Sequence, residues 1–177
     1  MDTGPDFLRS QVNNCIMQHR ILLEAIRDHI GQADDPAFSA LCSHHLPHME
    51  HHQGMIEEYG KGIGADGGGA VKNAIGAILG KARDAVDAFR ETDFLRVVGD
   101  IVMIRQAQDT FATFARVGAR VGDARLAAIG KTGEQEHDTM QQEFNAYIAE
   151  LFVQHVNGTV PEGKRTKATD SAHTTVM

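Results

Sequence analysis

The chain has 177 residues, with 24 Asp and Glu against 17 Lys and Arg, and its net charge is -7 at pH 7. This length favours one domain with a sizeable core, and the negative charge argues against nucleic acid or an anionic membrane as the main partner. No apolar run reaches the roughly 20 residues of a membrane span, and no export signal opens the sequence. We therefore expect a soluble, cytoplasmic protein, without a disulfide framework because it has only 2 cysteines.

Apolar residues recur at steps of three and four, and no segment alternates with period two between turn residues, so the fold is expected to be all-α. The first helix is predicted at about residues 7–30, and His19 lies inside its apolar stripe. Asp34 or Asp35 is a suitable N-cap, and Pro36 suits the first helical position. The second helix therefore begins near Pro36 and forms an antiparallel hairpin with the first.

The second helix, predicted to about residue 59, carries five histidines within residues 44–52. Its heptad-like stripe contains Phe38, Leu41, His45, His48, His52, Met55 and Tyr59. Three of the histidines are therefore expected to face the core, with His44 and His51 nearer the surface. Pro47 lacks a backbone N–H and clashes with the preceding turn, so a kink or a local break is expected there. Histidine is the commonest transition-metal ligand, so the cluster indicates metal binding or proton handling.

The second half of the chain is predicted to complete a four-helix bundle. Glycines at 60–69 indicate a loop, and a weaker apolar pattern over 71–89 predicts a helical crossover between the second and third core helices. The third helix is predicted at about 93–117, and the fourth follows a turn near Gly122.

The second half of the chain contains three polar residues at or beside core-facing positions, and it sets where the bundle ends. Gln108 lies on the stripe of the third helix, and Glu136 lies on that of the fourth with His137 beside it. We expect the bundle to span residues 1–156. Residues 157–177 have scarcely any apolar side chains, so they are expected to form a disordered C-terminal tail.

Height along the helices decides whether these polar residues meet. With the first turn at residue 33 or 34, His19 and His48 both lie roughly 21 Å from it at 1.5 Å per residue. Gln108 and Glu136 lie equally far from the second turn, which places all four groups near the middle of the bundle. Such groups are costly in an apolar layer unless they satisfy one another or an ion. The predicted metal ligands are His19, His48, His52, Gln108, Glu136 and His137.

The order of elements resembles that of the ferritin-like four-helix bundles, particularly the small YciF-like stress proteins, over about residues 7–152. The matching pieces are 37–38 and 51–57 in the second helix, 106–108 in the third, 121–122 at the turn, and Thr132 with 134–137 in the fourth. Ferritin-like di-iron proteins place a Glu on each of two helices and Glu-x-x-His on the other two. By position, Glu134 and His137 fit the last of these motifs.

The chain departs from this pattern at three positions. It has His48-x-x-His51 in the second helix, His19 in the first and Gln108 in the third, where the resemblance implies Glu ligands. Most of the negative charge of a di-iron site is therefore missing. Hemerythrin-like proteins also place histidines inside a four-helix bundle, and residues 18–20 and 45–50 are similar to their first two motifs.

Three functions are open at this point. The first is metal binding in stress response or metal handling, the second is a metal-free structural or interaction bundle, and the third is a di-iron enzyme that consumes oxygen or peroxide. Imidazoles with one carboxylate suit iron or zinc, whereas Cys15 and nearby methionines suit copper as the alternative. Enzymatic turnover is not implied. The expected partners are a metal ion and a second copy of the chain in a homodimer, with no nucleic acid and no membrane.

Overall fold

The computed structural model describes residues 3–65 and 92–159, and within these ranges the chain is helical with no strand. Four helices follow one another, which we number α1 (Gly4–Gln32), α2 (Pro36–Gly62), α3 (Asp93–Val121) and α4 (Ala124–Asn157). The predicted all-α four-helix bundle is confirmed. The crossover predicted at 71–89 and the tail beyond residue 159 lie outside the described residues. No helix in the described ranges combines the length and the apolar character needed to span a membrane.

The ends of the helices carry the signals expected from the sequence. The Asp35 side chain accepts a hydrogen bond from the Ala37 backbone N–H and so caps α2, whose first residue is a proline. Asp123 caps α4 in the same way through the Leu126 N–H. Gly122 follows α3 in the left-handed region at φ 77°, a conformation that a residue with a side chain rarely adopts.

The helices form two antiparallel hairpins, α1 with α2 and α3 with α4, and the hairpins meet so that α1 packs on α3 and α2 packs on α4. At one end of the bundle, the Asp35 N–H donates to Asp93 at the start of α3, and Tyr147 near the end of α4 donates to Asp35. At the other end, Tyr59 of α2 donates to Asp123. Thus α2 ends and α3 begins at opposite ends of the bundle.

Two apolar clusters fill the interior. The first, towards the turn between α3 and α4, contains Val12, Cys15, Ile16, Ile56, Tyr59, Ala65, Phe111, Phe114, Leu126 and Ile129. The second, towards the turn between α1 and α2, contains Leu22, Leu23, Ile26, Phe38, Cys42, Met49, Val97, Ile104, Met140 and Phe144. A layer of buried histidines lies between them.

The buried face of α2 agrees with the predicted stripe at four positions and differs from it at the three positions between them. The helix is continuous through Pro47, so the expected local break is wrong. Its buried stripe contains Phe38, Cys42, His45, Met49, His52, Ile56 and Tyr59. Positions 38, 45, 52 and 59 agree with the prediction, but between them the core uses Cys42, Met49 and Ile56, each one residue later than predicted. One residue is a rotation of about 100° on a helix, which turns His48 towards solvent.

Glycines allow α3 and α4 to approach closely. A Cβ atom on Gly130 would lie 2.2 Å from the backbone nitrogen of Ala115, and one on Gly118 would lie 2.4 Å from that of Ala127. In both cases the obstacle is main chain, which cannot rotate away. The two helices therefore keep this separation only while glycine occupies these positions.

We predict that Gly130→Ala lowers the free energy of unfolding by about 1–3 kcal/mol or more, because overpacking forces the two backbones apart. The matched control is Gly54→Ala in α2, where a Cβ atom meets nothing within 4 Å. That change should stabilise the protein by about 1 kcal/mol, since alanine is the better helix former. Denaturant unfolding measures both. Equal effects of the two substitutions would contradict the close packing of α3 on α4.

Candidate metal centre

Three histidines from three helices meet between the two apolar clusters, and we call them the histidine triad: His19 of α1, His52 of α2 and His137 of α4. Their exposed fractions are 2%, 0% and 0%. One ring nitrogen from each lies within 4.8 Å of those of the other two. The remaining helix, α3, contributes Phe111 to this layer. The Phe111 ring centroid lies 5.2–5.7 Å from each of the three imidazole centroids.

Hydrogen bonds assign the protonation of His19. The side-chain amide nitrogen of Gln53 donates to the Ile16 carbonyl and to the Glu57 carboxylate, so its oxygen is the acceptor for His19 Nδ1, at 2.9 Å. His19 therefore carries its proton on Nδ1. Its Nε2, which has no hydrogen-bond partner, presents a lone pair.

His137 has the same tautomer for a different reason. Its Nδ1 lies 2.7 Å from the backbone carbonyl oxygen of Gly133, one helical turn earlier, and a carbonyl can only accept. Its Nε2 is likewise unpartnered, and so are both ring nitrogens of His52. In the triad, His19 and His137 are each oriented by a hydrogen bond at Nδ1 and have an unpartnered Nε2. His52 has no hydrogen bond at either ring nitrogen.

All three imidazoles are held neutral by burial. Burial lowers the pKa of His19 to about 4 and the pKa of His52 to about 3, and it holds the pKa of His137 well below its ordinary value. The neighbouring imidazoles lower the pKa of His52 and His137 further. A neutral imidazole is the form that binds a metal ion, so the triad needs no proton release before binding.

Glu136 places a carboxylate at the edge of the triad. Its Oε2 lies 2.7 Å from His52 Nε2 and 3.3 Å from His48 Nδ1, and its side chain is 35% exposed. The contact with His52 lacks the alignment of a hydrogen bond, since both atoms are without a hydrogen-bond partner. An ion bound by His52 Nε2 would therefore also lie within reach of this carboxylate.

A small cavity adjoins His19 of the triad. Its volume is about 80 Å³, and its lining residues are Cys15, Gln18, His19, Ile21, Met103, Gln106 and Ala107. It lies between α1 and α3, and a groove of about 1090 Å³ shares Cys15, Gln18 and Gln106 with it. His19 is therefore the triad member next to open space between these two helices.

The structure brings together half of the predicted ligands. His19, His52 and His137 form the triad, and Glu136 adjoins it, but the expected pairing of His19 with His48 is wrong because the His48 side chain is 53% exposed. Helical side chains tilt towards the N-terminus of their own helix. In an antiparallel hairpin, α1 side chains therefore tilt away from the turn and α2 side chains towards it. His19 consequently meets His52 and Gln53, which lie farther along α2 than the level of the Cα atoms predicts.

The predicted roles in the second hairpin are also corrected. The Gln108 amide donates to Asp138 at 2.9 Å on the outside of the bundle, and Ala107 packs against the apolar cluster instead. Phe111 supplies the α3 side chain of the histidine layer. On α4 it is His137, not Glu136, that is fully buried.

Sequence reasoning missed two residues that orient the triad, Gln53 and Gly133. The spacing of Gly133 and His137, four residues apart on one helix, was a usable signal because it allows a side chain to reach the carbonyl of the preceding turn. Gln53 gave none, since its partner lies on another helix. The prediction also missed a pairing of His45, whose Nε2 lies 2.8 Å from Glu143.

No protein-family model matches the chain, and no curated protein or solved structure is significantly similar to it. The resemblance to ferritin-like and hemerythrin-like proteins therefore stays an expectation. Support for a function comes from the geometry of the triad.

We predict that the metal-free protein, kept in chelator, loses stability as the pH falls from about 6.5 to about 4. The pKa of His19 is 6.5 when unperturbed and about 4 in the folded protein. Between these values the unfolded chain binds more protons, so acid favours unfolding, and above 6.5 this contribution is constant. His19→Gln should reduce the slope of unfolding free energy against pH. His155→Gln, an exposed control, should leave it unchanged. Identical slopes in all three proteins would contradict the neutral, buried state of His19.

Proposed function

We propose that the protein binds a transition-metal ion through His19, His52 and His137. One observation carries the proposal: three buried imidazoles from three helices, each with an unpartnered ring nitrogen, bring one ring nitrogen each within 4.8 Å of one another. A buried nitrogen without a hydrogen bond costs about 1–3 kcal/mol, and such atoms are rare in native proteins. One ion that accepts a lone pair from each ring removes this cost at the Nε2 atoms of His19 and His137 and at one of the two unpartnered nitrogens of His52.

The surroundings of the triad support ligation rather than simple packing. Ligating histidines commonly donate their second N–H to a carbonyl or carboxylate, which fixes the tautomer and the ring orientation. Gln53 performs this for His19, and the Gly133 carbonyl performs it for His137. Gln53 is itself held by Glu57, which forms an ion pair with Arg20 at the surface. His19 is thus positioned by a chain of contacts that reaches solvent.

The donor set favours a single zinc or iron ion. Three imidazoles with one adjacent carboxylate suit either metal, and Glu136 is placed to complete the coordination after a small rotation. Copper is less favoured, because Met49 and Met140 pack within an apolar cluster as ordinary core residues. A di-iron centre that activates oxygen is less favoured still, because it needs several bridging carboxylates and Glu136 is the one that adjoins His52. Metal handling, which the ferritin-like resemblance implies, is the broader role we propose.

The rival function is a metal-free bundle that serves as a structural or interaction protein. One observation favours it, namely that His19 and His137 each already make one hydrogen bond. In that case the triad is a packed polar layer, and neither metal nor chelator should change the stability.

We expect untagged protein, purified without chelator, to retain an equivalent of metal that depends on the triad. His19→Ala and His52→Ala should lose this equivalent, because each removes one of three ligands. His48→Ala is the matched control: it removes an imidazole from the same helix, but one that is half exposed, and it should keep the metal. Elemental analysis measures all four proteins.

Chelation separates the proposal from its rival. An ion present at a hundred times its Kd stabilises the fold by about 2.7 kcal/mol, so removing it should lower the Tm of the wild-type protein and of His48→Ala. The Tm of His19→Ala should fall less than that of the wild-type protein, because this variant has already lost the ion of the triad. A wild-type melt that is the same with and without EDTA, together with metal content below stoichiometry, would refute metal binding at the triad and favour the rival. Consumption of oxygen or peroxide by iron-loaded protein would instead support the enzyme.

A further inference from the structure

A second group of potential metal ligands lies nearer the turn between α1 and α2. His29 of α1, Cys42 of α2 and Asp100 of α3 converge there, with exposed fractions of 4%, 0% and 0%. One ligand atom from each lies within 4.8 Å of the other two, and His29 Nδ1 is 2.9 Å from Asp100 Oδ2. His29 follows His19 by ten residues, roughly 15 Å along α1, so this group is separate from the triad.

The three donors form a typical zinc-binding set of nitrogen, sulfur and oxygen. Tetrahedral zinc has Zn–N and Zn–O bonds of about 2.0–2.2 Å and Zn–S bonds of about 2.3 Å, which places its ligand atoms roughly 3.3–3.7 Å apart. The distance from His29 Nδ1 to Asp100 Oδ2, 2.9 Å, is shorter than this, and one ligand atom of each of the three residues lies within 4.8 Å of the others, so the side chains must shift for an ion to fit between them. Each of the three residues lies within a helix.

The electrostatic surroundings distinguish Cys42 from the other free cysteine. Burial raises the pKa of the Cys42 thiol, and the Asp100 and Asp93 carboxylates raise it further. Burial alone raises the pKa of Cys15 to about 12. Both cysteines pack in apolar clusters, but only Cys42 also lies in a negative field that opposes a bare thiolate and attracts a cation.

We propose that His29, Cys42 and Asp100 form a second metal site, which takes a thiolate-preferring divalent ion, with zinc as the expected occupant. Binding forms a Zn–S bond and releases the proton of the Cys42 thiol to solvent. The ion replaces the hydrogen bond between His29 Nδ1 and Asp100 Oδ2, and the proton on Nδ1 passes to Nε2 so that His29 binds as a neutral imidazole. The charges then balance within the site, because Zn²⁺ offsets one thiolate and one carboxylate.

Cobalt provides the test, because Co²⁺ replaces Zn²⁺ and a cobalt–thiolate bond gives a near-ultraviolet charge-transfer band that imidazole ligands do not give. The full-length, metal-free protein is titrated with Co²⁺. The wild-type protein should develop this band and bind a second equivalent beyond that of the triad. Cys42→Ser should lose both the band and that equivalent. Cys15→Ser, the matched control, should keep them.

Triad variants separate this proposal from the proposed function. His19→Ala should lose the equivalent bound by imidazoles and retain the thiolate band, so either site can fail without the other. X-ray absorption of zinc-loaded wild-type protein needs no substitution and should show a Zn–S bond near 2.3 Å. It therefore decides the matter even where Cys42→Ser fails to fold. Absence of both the band and the Zn–S bond in wild-type protein would overturn the second site, as would their persistence in a folded Cys42→Ser variant.

Discussion

The close approach of α3 and α4 is the constraint on which the histidine layer depends. A Cβ atom on Gly133 would lie 2.4 Å from the Phe111 ring, so only a glycine lets this ring sit where it contacts all three imidazoles. The carbonyl of the same Gly133 fixes the tautomer of His137. Gly133 therefore affects the packing of α3 on α4, the position of the Phe111 ring beside the site, and the orientation of the His137 Nε2 lone pair. Because Phe111 occupies the α3 position of the layer, the site has three imidazole donors instead of four ligands, one from each helix. A tetrahedral ion at the triad would therefore have a position left for Glu136 or a water molecule.

Burial and orientation act together on the other two histidines. His52 has no hydrogen bond at either ring nitrogen, and it lies between His137, whose ring centroid is 4.9 Å away, and the Glu136 carboxylate. A layer that is only partly satisfied is destabilising in itself, because the low dielectric that strengthens each hydrogen bond also raises the cost of each missing one. The apolar clusters on both sides supply the stability that keeps such a layer buried. This is the expected relation between a functional site and its scaffold, since sites often break the local rules that the rest of the sequence obeys.

Most of the fold could be predicted from the sequence, because periodicity and capping are local signals. The four helices, the cap at Asp35 and the turn at Gly122 follow from such signals.

The site could be predicted only in part. On α2, His48 and Met49 are both compatible with a core stripe, and the choice between them depends on which heptad phase the neighbouring helices accept. The apolar residues Cys42, Met49 and Ile56, seven apart, indicated the correct phase, but the density of histidines favoured the other. The level of His19 relative to α2 was also predicted incorrectly. Cα positions do not include the tilt of side chains, which runs in opposite directions on two antiparallel helices. The roles of Phe111 and Gln53 require knowledge of contacts between helices, which no local pattern contains.

The two ligand clusters differ in how they would balance the charge of an ion. At the second cluster, one thiolate and one carboxylate would neutralise a divalent cation within the fully buried site. At the triad, three neutral imidazoles would leave the charge of an ion uncompensated unless Glu136 or an external anion joined it. Glu136 is partly exposed, and a small cavity lies beside His19 between α1 and α3. A buried charge without full compensation is costly. The cluster around Cys42 would therefore compensate a divalent ion within itself, whereas binding at the triad would depend on the Glu136 carboxylate or on an external anion.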